Sequence, residues 1–507
     1  MSMAHHLTPV LVLAFLPSFG AGDPPTADPP DRVGRISYIS GAVSLRPGSV
    51  DDWVAATLNY PLTTGDHVWT DAGARAEVSL GSTAARLGSY TAFAFLALDD
   101  HTIQLRLSQG SLQLRVRRLD DEDTFEIDTP NGAVSLLRPG AYRLDVDSSG
   151  DTTSVSVRQG EAEVTAAGSA FSVRAGQAAI VAGIDSPSYD LRDPGQPDEL
   201  EEWAALRDRR RDEAATAHYV SREVIGYEDL DDAGVWRITA AYGPVWRPRS
   251  VAVGWAPYRD GHWAWVDPWG WTWIDDAPWG FAPFHYGRWV YIDGGWAWVP
   301  GRIVRRPAYA PALVAFVGGP QWSASLSFGR EGGVAWFPLG PDEVYVPAYR
   351  VSPTYVRRIN VTNVNVTNVN VTNIDVTNIR YVNREVPGAI TAVPRNTFVT
   401  AQPVRRSAVI VPRERVASAT IVGTAAPVAP TRESVLAQAA NLPARRPPPA
   451  VARRPVVART APPPPPVPFA AREQALQAHP GYPLSEAALA SLGAKMHSAL
   501  ANPLVRQ

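Results

Sequence analysis

The tryptophans of this chain are concentrated in one segment and recur in one short phrase. Twelve of the seventeen lie between Trp236 and Trp298. The phrase reads Trp, any residue, Trp or Tyr, Val or Ile, then Asp or Pro, and it begins at Trp263, Trp271, Trp289 and Trp296. Because side chains alternate along an extended strand, rings two positions apart share one face. The repeat therefore predicts short antiparallel strands with an aromatic face, joined by Gly and Pro turns.

An aromatic face serves either as a core or as a binding surface. Trp and Tyr bury large areas and pair favourably, whereas exposed rings stack on sugars or on partner proteins. We assign the paired rings of the repeat to the core: Trp263, Trp265, Trp271, Trp273, Trp289, Trp296 and Trp298. Functional side chains concentrate in loops. We therefore assign four turn rings to exposed, ligand-binding positions: Tyr258, Trp269, Trp279 and Tyr286.

The motifs of common catalytic sites are missing from the sequence. With no cysteine, the chain has no disulfide, thiolate metal site or cysteine nucleophile. Its nine histidines include no pair at metal-ligand spacing, and no nucleophile-elbow or phosphate-loop motif has the required context. Asp267, Asp275, Asp276 and Asp293 could supply paired carboxylates, but Asp at a strand end commonly forms a turn. We predict a non-enzymatic protein without catalytic residues, metal or cofactor.

The first residues are typical of an export signal. An apolar run from Leu7 to Phe19 is followed by small residues. The run is shorter than the roughly 20 residues that span a bilayer, and it suits a signal-peptide core. We predict a signal peptide over residues 1–22 and no transmembrane segment after its removal. The mature protein would then be periplasmic or extracellular, and membrane-associated if the signal is not cleaved.

Residues 32–184 have the pattern of many short strands. Apolar and polar residues alternate over stretches such as Gln104–Leu107 and Ser111–Val116, and turn signals such as Gly65-Asp66 separate the stretches. This rhythm predicts an antiparallel β sandwich or roll. With the Trp repeat, it makes the chain mainly β.

The order of turn and apolar residues in this segment resembles the FecR-type domain. The residues that carry the resemblance are Gly41, Val43, Pro47-Gly48, Trp53, Gly65-Asp66, Gly110, Thr129-Pro130, Gly160 and Gly176. In characterised FecR proteins this domain lies outside the membrane, and a cytoplasmic part controls a sigma factor. Only about 30 residues precede the β domain here. The resemblance therefore implies the outer domain without the anti-sigma part.

A connecting helix and a Trp/Tyr-rich module are predicted next. The helix spans residues 198–222, with Leu200 and Trp203 on one side and the charged run 207–212 on the other. Opposite charges three or four positions apart predict a solvent-facing surface and not a nucleic-acid site. The module, which we call the Trp module, spans residues 226–356. Together these regions resemble an uncharacterised bacterial family that joins a FecR-type domain to a Trp/Tyr-rich module and brings no known activity.

The C-terminal part combines a spacer and a basic tail. Residues 357–380 repeat Asn-Val-Thr-Asn every five positions, which fits neither a helix nor a one-faced strand. Residues 381–507 are rich in Pro, Ala and Arg and are predicted to be disordered, with a short helix after Ser485. From Arg380 onward, sixteen cationic residues face five acidic ones, a net charge of +11. The chain's net charge of −3 leaves −14 for the rest.

These patterns predict a scaffold or interaction protein of the bacterial cell envelope. Its expected partner is an envelope protein or a glycan, and the basic tail would attract anionic envelope polymers. A carbohydrate- or peptidoglycan-binding protein and a FecR-like signal sensor remain as alternatives. No nucleic-acid partner is predicted.

Overall fold

The computed structural model describes residues 27–166, 168–318, 332–364, 380–411, 420–437, 443–495 and 505–506. The predicted signal peptide, Trp322 and most of the Asn-Val-Thr repeat lie outside the described residues. Within these ranges, no helix is long and apolar enough to cross a membrane.

Residues 34–192, the N-terminal β region, form a two-sheet antiparallel structure. Its strands are β1 (Gly34–Ser40), β2 (Val43–Arg46), β3 (Val54–Ala55), β4 (Pro61–Leu62), β5 (His67–Thr70), β6 (Arg75–Leu80), β7 (Thr83–Leu87), β8 (Ala92–Leu98), β9 (Thr102–Val116), β10 (Thr124–Asp128), β11 (Ala133–Leu136), β12 (Gly140–Val146), β13 (Thr152–Gln159), β14 (Glu161–Ala166), β15 (Ser169–Arg174), β16 (Gln177–Ala182) and β17 (Ser188–Arg192). The predicted β fold of this region is confirmed.

The long strand β9 belongs to both sheets. One sheet runs β4-β1-β6-β7-β9-β12-β13-β16-β17. The other runs β3-β2-β5-β8-β9-β10-β11-β14-β15, and within it β9 and β10 are parallel. The strand changes sheets at Gly110, where φ is +93°. A Cβ there would lie 2.5 Å from the Thr91 Cα, so glycine is required at this position.

Strand alternation divides core from outer face in both sheets. On β9, Ile103, Leu105 and Leu107 belong to the apolar core, while Gln104 and Arg106 point to the other side. Two segments of the same chain cover the outer faces.

The first covering segment is helix α1 (Glu199–Asp212). Asp198 caps its N-terminus, and Glu201 completes a capping box. A 3₁₀ turn, Ala215–His218, follows the helix. Two further short elements lead into the Trp module: a 3₁₀ turn, Tyr227–Asp229, and α2 (Leu230–Ala233).

The charged run of α1 docks on the β region. The Arg207 guanidinium donates to both carboxylate oxygens of Glu77 at 2.7 and 2.8 Å, and Asp208 accepts from Arg86 at 2.9 Å. Arg211 is only 3 % exposed. The prediction of a solvent-facing run is therefore wrong for Arg207, Asp208 and Arg211, because the outer face of the sheet carries complementary charges. The other residues of the run are exposed as predicted: Arg209, Arg210 and Asp212.

The Trp module consists of short hairpins. Its elements are β18 (Gly234–Thr239), β19 (Gly243–Pro248), β20 (Gly261–Val266), β21 (Gly270–Asp275), α3 (Ala282–His285), β22 (Arg288–Ile292), β23 (Gly295–Val299), β24 (Val314–Gly318) and β25 (Gly333–Pro338). Antiparallel register sets the repeat's rings directly opposite one another: Trp263 with Trp273, Trp265 with Trp271, and Trp289 with Trp298. The prediction of short antiparallel strands is confirmed.

Part of the predicted disordered tail completes the Trp module. Helix α4 (Pro353–Asn360) precedes the tail. The elements of the tail here are a 3₁₀ turn Asn383–Glu385, β26 (Thr391–Pro394), α5 (Arg395–Val399), a 3₁₀ turn Val404–Arg406, β27 (Val409–Ile410), β28 (Thr420–Gly423) and α6 (Arg432–Leu436). Strands β27-β26-β25-β24-β28 form one sheet. The buried Phe398 ring stacks on Trp263 and lies 4.5 Å from Trp271. The prediction of disorder is wrong for these tail residues. Their strands pair with the edges of the β24–β25 pair, and their apolar side chains pack into the aromatic core of the module.

The remaining described C-terminal residues contact the N-terminal β region and, from Arg472 onward, also the Trp module. They include α7 (Pro449–Ala452), β29 (Val456–Val457), α8 (Phe469–Ala478), α9 (Glu486–Lys495) and β30 (Val505–Arg506). We call residues 443–469 the Pro/Arg segment. At its end, the Phe469 amide donates to the Ser49 carbonyl at 2.8 Å.

The described start of the Asn-Val-Thr repeat is also folded. Asn360 is 1 % exposed and accepts from the Arg288 guanidinium at 2.8 Å. Its amide nitrogen donates to the Tyr345 carbonyl at 2.8 Å. For residues 357–364, the predicted extended spacer is therefore replaced by a helix end and a turn with a buried asparagine.

Candidate functional site

The rings assigned to the core are all buried. Exposure ranges from 0 % for Trp273 and Trp298 to 7 % for Trp296, and Trp263, Trp265, Trp271 and Trp289 lie between these limits. Several indole nitrogens find acceptors inside the module. Trp271 Nε1 donates to the Val428 carbonyl at 2.9 Å, and Trp298 Nε1 donates to the Tyr286 carbonyl at 2.8 Å.

The rings assigned to ligand binding are not on the surface. Tyr258, Trp269 and Tyr286 are 0, 2 and 7 % exposed, and Trp279 is partly buried. The Tyr258 hydroxyl donates to the Phe284 carbonyl at 2.8 Å. Trp279 lies 5.0 Å from Trp246 and packs against the core. The prediction of exposed rings is wrong for Tyr258, Trp269 and Tyr286, because the turns of the repeat fold back onto the module and these rings enlarge its core.

Three of the four candidate carboxylates have structural partners. Asp275 is buried and accepts from Trp273 Nε1 and the Ala277 amide, each at 3.0 Å, and burial raises its pKa well above the usual range. Asp267 pairs with Arg472 at 2.8 Å. Asp293 lies at the surface, 3.5 Å from Arg247. Asp276 is exposed. No two of them are arranged around a shared cleft in the structure's described parts.

The histidines of the module are core residues. Burial lowers the pKa of His262 to about 4 and that of His285 to about 3, so both rings are neutral at pH 7. His285 Nδ1 lies 2.8 Å from the Ala310 carbonyl and must carry the proton of that hydrogen bond. In the portions that the structure describes, no cluster of His, Cys, Asp or Glu is suited to hold a metal ion.

The strongest candidate site is a buried polar surface on β9 and β10. Its side chains alternate with core residues and so lie on the outer face of the sheet, where water would normally solvate them. Yet all are at most 3 % exposed. We call them the β9–β10 polar face: Gln104, Arg106, Ser108, Glu126 and Asp128.

The Pro/Arg segment is what covers this face, and the contacts are mostly to its main chain. Glu126 Oε1 accepts from the amides of Arg459 and Thr460 at 2.8 and 3.1 Å, and Oε2 accepts from the Thr460 hydroxyl at 2.7 Å. Gln104 Nε2 donates to the Thr460 carbonyl at 2.8 Å. The carboxamide and carboxylate together hold the Arg459-Thr460 dipeptide at one end of the face.

The other end of the face holds two carbonyls. Arg106 Nη2 donates to the Ala452 carbonyl at 3.1 Å and to the Arg454 carbonyl at 2.5 Å. In return, the Arg454 guanidinium donates to the carbonyls of Ser108 and Ser148, each at 2.8 Å. Between the ends, the Val457 amide donates to the Thr129 carbonyl at 2.9 Å. The segment is therefore held along residues 452–460: a helix ends at Ala452, a short strand follows at Val456–Val457, and a bend lies at residues 459–460.

Burial under the segment changes the acid–base state of the face. Desolvation, and then the neighbouring Glu126, raise the pKa of Asp128 to about 10, so Asp128 is protonated at pH 7. Asp128 Oδ2 accepts from Gln104 Nε2 at 2.9 Å. Desolvation, followed by the nearby Arg46 and Arg454, lowers the pKa of Arg106 to about 10. Burial under the segment therefore disfavours the charged forms of both Asp128 and Arg106.

Charge complementarity extends beyond the face. Arg459 pairs with Glu163, and Arg445 lies 3.5 Å from Asp71. Arg445 also donates its amide to the Ser44 hydroxyl at 2.9 Å. The net positive tail and the net negative body are therefore in direct contact.

Sequence reasoning missed this site, although one signal was present. On β9 and β10, charged or amide residues alternate with core residues, which is ordinary for a half-exposed strand. The alternation itself does not say that the polar side is covered. The usable signal was the opposite net charge of body and tail.

Two protein-family models match parts of this chain in sequence. The FecR protein family model matches residues 66–163, which include both strands of the polar face. A second model, Family of unknown function (DUF6600), matches residues 227–343. No curated protein matches the chain.

Two crystal structures of a protein described as an anti-sigma factor of Parabacteroides distasonis ATCC 8503 are similar over part of the chain. The first has 17 % identity and a TM-score of 0.24, and the match covers 28 % of this chain and 64 % of that one. The second has 14 % identity and a TM-score of 0.23, and the match covers 36 % and 99 %. The sequence matches are the firmer result: this chain contains a FecR domain at residues 66–163 and a domain of the DUF6600 family at residues 227–343.

Proposed function

We propose that this chain is a non-enzymatic interaction protein of the bacterial cell envelope, exported from the cytoplasm, whose FecR domain is held in a fixed orientation by the Trp module. The observation that carries the proposal is the buried junction between the N-terminal β region and the Trp module. A chain whose two domains move as one body is suited to presenting a binding surface.

Arg35 is the centre of this junction and is 1 % exposed. Its guanidinium donates to Asp229 at 2.6 Å, to the Pro278 carbonyl at 2.7 Å and to the Asn59 side chain at 3.0 Å. Asn59 in turn donates to the carbonyls of Asp275 and Ala277, each at 2.8 Å. Apart from the Arg35–Asn59 bond, these hydrogen bonds join residues more than 190 positions apart, and together they form one connected network across the junction.

The absence of enzymatic activity is part of the proposal. The carboxylates and histidines that chemistry would use are engaged in turns, ion pairs or the core among the described residues. FecR proteins are regulatory, which agrees with a role in recognition.

A FecR-like signal sensor is the second candidate, and the FecR domain match favours it. A scaffold and a sensor differ in whether partner binding changes another protein's activity. The glycan-binding alternative loses its support, since its candidate rings are buried or partly buried.

Export is tested with a fusion. Residues 1–30 joined to a reporter that is active only outside the cytoplasm should give activity, and the mature chain should begin near Ala21 or Asp23. Recovery of intact Met1 from the soluble cytoplasm would contradict export.

The junction is tested with Arg35→Ala in the full chain. Removing one partner of a buried ion pair costs about 3–5 kcal/mol, so the wild type's single thermal transition should fall in temperature or split into two. Arg75→Ala is the matched control, because Arg75 pairs with an exposed Glu199 carboxylate. Equal melting of both variants would contradict a rigid junction.

Interaction is tested by site-specific photo-crosslinking in cells, from position 189 on the exposed strand β17. A discrete adduct with an envelope protein, lost in Arg35→Ala, supports the proposal. An adduct whose partner changes activity on binding selects the sensor. Crosslinking to no envelope component from several surface positions would contradict an interaction role.

A further inference from the structure

We propose that the β9–β10 polar face is a binding site for an extended, arginine-bearing, proline-flanked segment of a second protein. The chain's own Pro/Arg segment occupies this site when the partner is absent and must be displaced before the partner binds. The inference goes beyond a scaffold role, because it assigns a site, a ligand class and a competing occupant.

The resident Pro/Arg segment combines arginines with flanking prolines. It supplies arginines at Arg454 and Arg459 and prolines at positions 455 and 462–466. Proline-flanked chains are already extended, so ordering them on a surface loses little entropy. A partner with the same features would meet the same acceptors and donors.

The face recognises the segment mainly through main-chain atoms. Glu126, Gln104 and Arg106 bind main-chain amides and carbonyls. Main-chain recognition gives affinity to any extended chain, and a few side-chain contacts add selectivity. Here the selective contacts are the Thr460 hydroxyl to Glu126 and the Arg454 guanidinium to the carbonyls of Ser108 and Ser148.

The resident segment leaves buried polar atoms of the face without a hydrogen-bond partner in the described parts of the molecule. Gln104 Oε1 and Arg106 Nε are two such atoms. Burying a polar atom without a partner is unfavourable. Arg453, Pro455 and Arg459 of the segment remain exposed. Its release must nevertheless overcome apolar burial as well as the polar bonds, because four other residues of the segment are buried: Val451, Val456, Ala458 and Phe469. The unpartnered atoms of the face are what a better-fitting partner would satisfy.

The Pro/Arg segment belongs to the same chain as the face that it covers. A segment joined to its own site has a high effective concentration, so it excludes free ligands of similar intrinsic affinity. A partner therefore binds tightly only when the resident segment is weakened or when the partner makes more contacts. The Pro/Arg segment thereby sets the minimum affinity that a partner needs in order to bind the face.

The test uses the full chain and a fluorescein-labelled synthetic peptide of residues 448–466. Wild type is compared with the full-length double variant Arg454→Ala/Thr460→Val, whose own segment is weakened while the peptide keeps the natural sequence. We expect the variant to bind the peptide at least about tenfold more tightly than wild type, a difference of about 1.4 kcal/mol. Adding Glu126→Gln to the double variant should remove this gain.

Two controls separate this site from general charge attraction and from misfolding. A scrambled peptide of equal charge should bind the double variant at least about tenfold more weakly. In wild type, excess natural peptide should speed hydrogen exchange at the amides of Val457, Arg459 and Thr460, because it displaces the resident segment. Equal affinity of wild type and double variant, equal binding of the scrambled peptide, or unchanged exchange at these amides would overturn the proposal.

Discussion

The N-terminal β region has two polar outer faces, and the chain covers them in different ways. Helix α1 covers the first through side-chain ion pairs, with Glu77 buried between Arg86 and Arg207. The Pro/Arg segment covers the second, where Glu126 and Arg106 bind main-chain atoms. Ion pairs between side chains are specific for one partner sequence, whereas hydrogen bonds to main-chain atoms can form with many sequences. The first cover is therefore part of the fold, and the second is exchangeable.

The same contrast divides the C-terminal region. Residues 391–437 dock through rings and a shared sheet, whereas residues 443–469 dock through main-chain polar bonds together with four small patches of apolar burial at Val451, Val456, Ala458 and Phe469. Phe398→Ala should therefore produce the largest effect, about 3–5 kcal/mol, because it opens a cavity beside Trp263 and Trp271. Val409→Ala, at an exposed position, should change stability by less than about 0.5 kcal/mol. Urea unfolding of both variants measures the difference, and equal midpoints would place Phe398 outside the core.

Glu77→Gln tests the helix-covered face. It leaves two buried guanidinium groups without their shared carboxylate, which should cost about 3 kcal/mol, the lower end of the range for a broken buried pair. The lower end applies because Arg86 keeps Asp208 as a partner. Glu199→Gln, at an exposed carboxylate near Arg75, is the control and should leave the melting temperature unchanged. A Glu77→Gln protein as stable as wild type would mean that the ion pairs do not hold the helix.

The two covers should respond to pH in opposite directions. Burial opposes ionisation of Glu77, but Arg207 and Arg86 prevail and hold its pKa well below the usual value of 4.5. Its contribution is therefore present above pH 4.5 and is lost as pH falls through the folded-state pKa. Asp128 is the reverse case, since burial and Glu126 raise its pKa from 3.8 to about 10. Its contribution to docking is full below pH 3.8 and is lost as pH rises towards 10.

This sign difference gives a direct experiment. Because the chain contains no cysteine, a single cysteine at exposed position 453 can carry a fluorophore that reports on the Pro/Arg segment. Its anisotropy should fall between pH 5 and pH 9 as the segment loosens, while α1 stays folded by circular dichroism. Asp128→Asn should abolish the pH dependence of anisotropy. Persistence of the same dependence in Asp128→Asn would assign it to another group.

Glu126→Gln should give the smallest change in global stability. It weakens three hydrogen bonds to the segment but leaves the apolar core intact. We expect a loss of about 1 kcal/mol or less in global unfolding. Cleavage of residues 452–460 by trypsin should nevertheless become about tenfold faster, because local opening controls it. Unchanged cleavage would show that Glu126 does not hold the segment.

The sequence was informative where periodicity alone determines structure. Alternation predicted the sandwich, and the spacing of the repeat predicted short antiparallel strands with an aromatic face. It failed where remote segments meet. Tyr258 and Tyr286 lie in turns, which suggested exposure, but the folding of those turns onto the module buries both rings. Likewise, nothing local to Phe398 shows that it completes an aromatic core more than 100 positions earlier in the chain.

The candidate site was beyond prediction for the same reason. Glu126 and Asp128 alternate with core residues like any solvent-facing pair, and the segment that covers them lies more than 300 positions away. The charge asymmetry predicted attraction of the tail to an anionic polymer, whereas in the structure its arginines contact acids of the same chain.

Native-state hydrogen exchange of the full chain tests the central contrast most directly. The amides of Val457, Arg459 and Thr460 in the segment are compared with those of helix α1, each corrected for its intrinsic exchange rate. We predict that the segment amides exchange through a local opening whose free energy lies well below that of global unfolding, while the protected helix amides exchange near the global value. Segment and helix amides with the same opening free energy would contradict the account, because both covers would then be fixed parts of one fold.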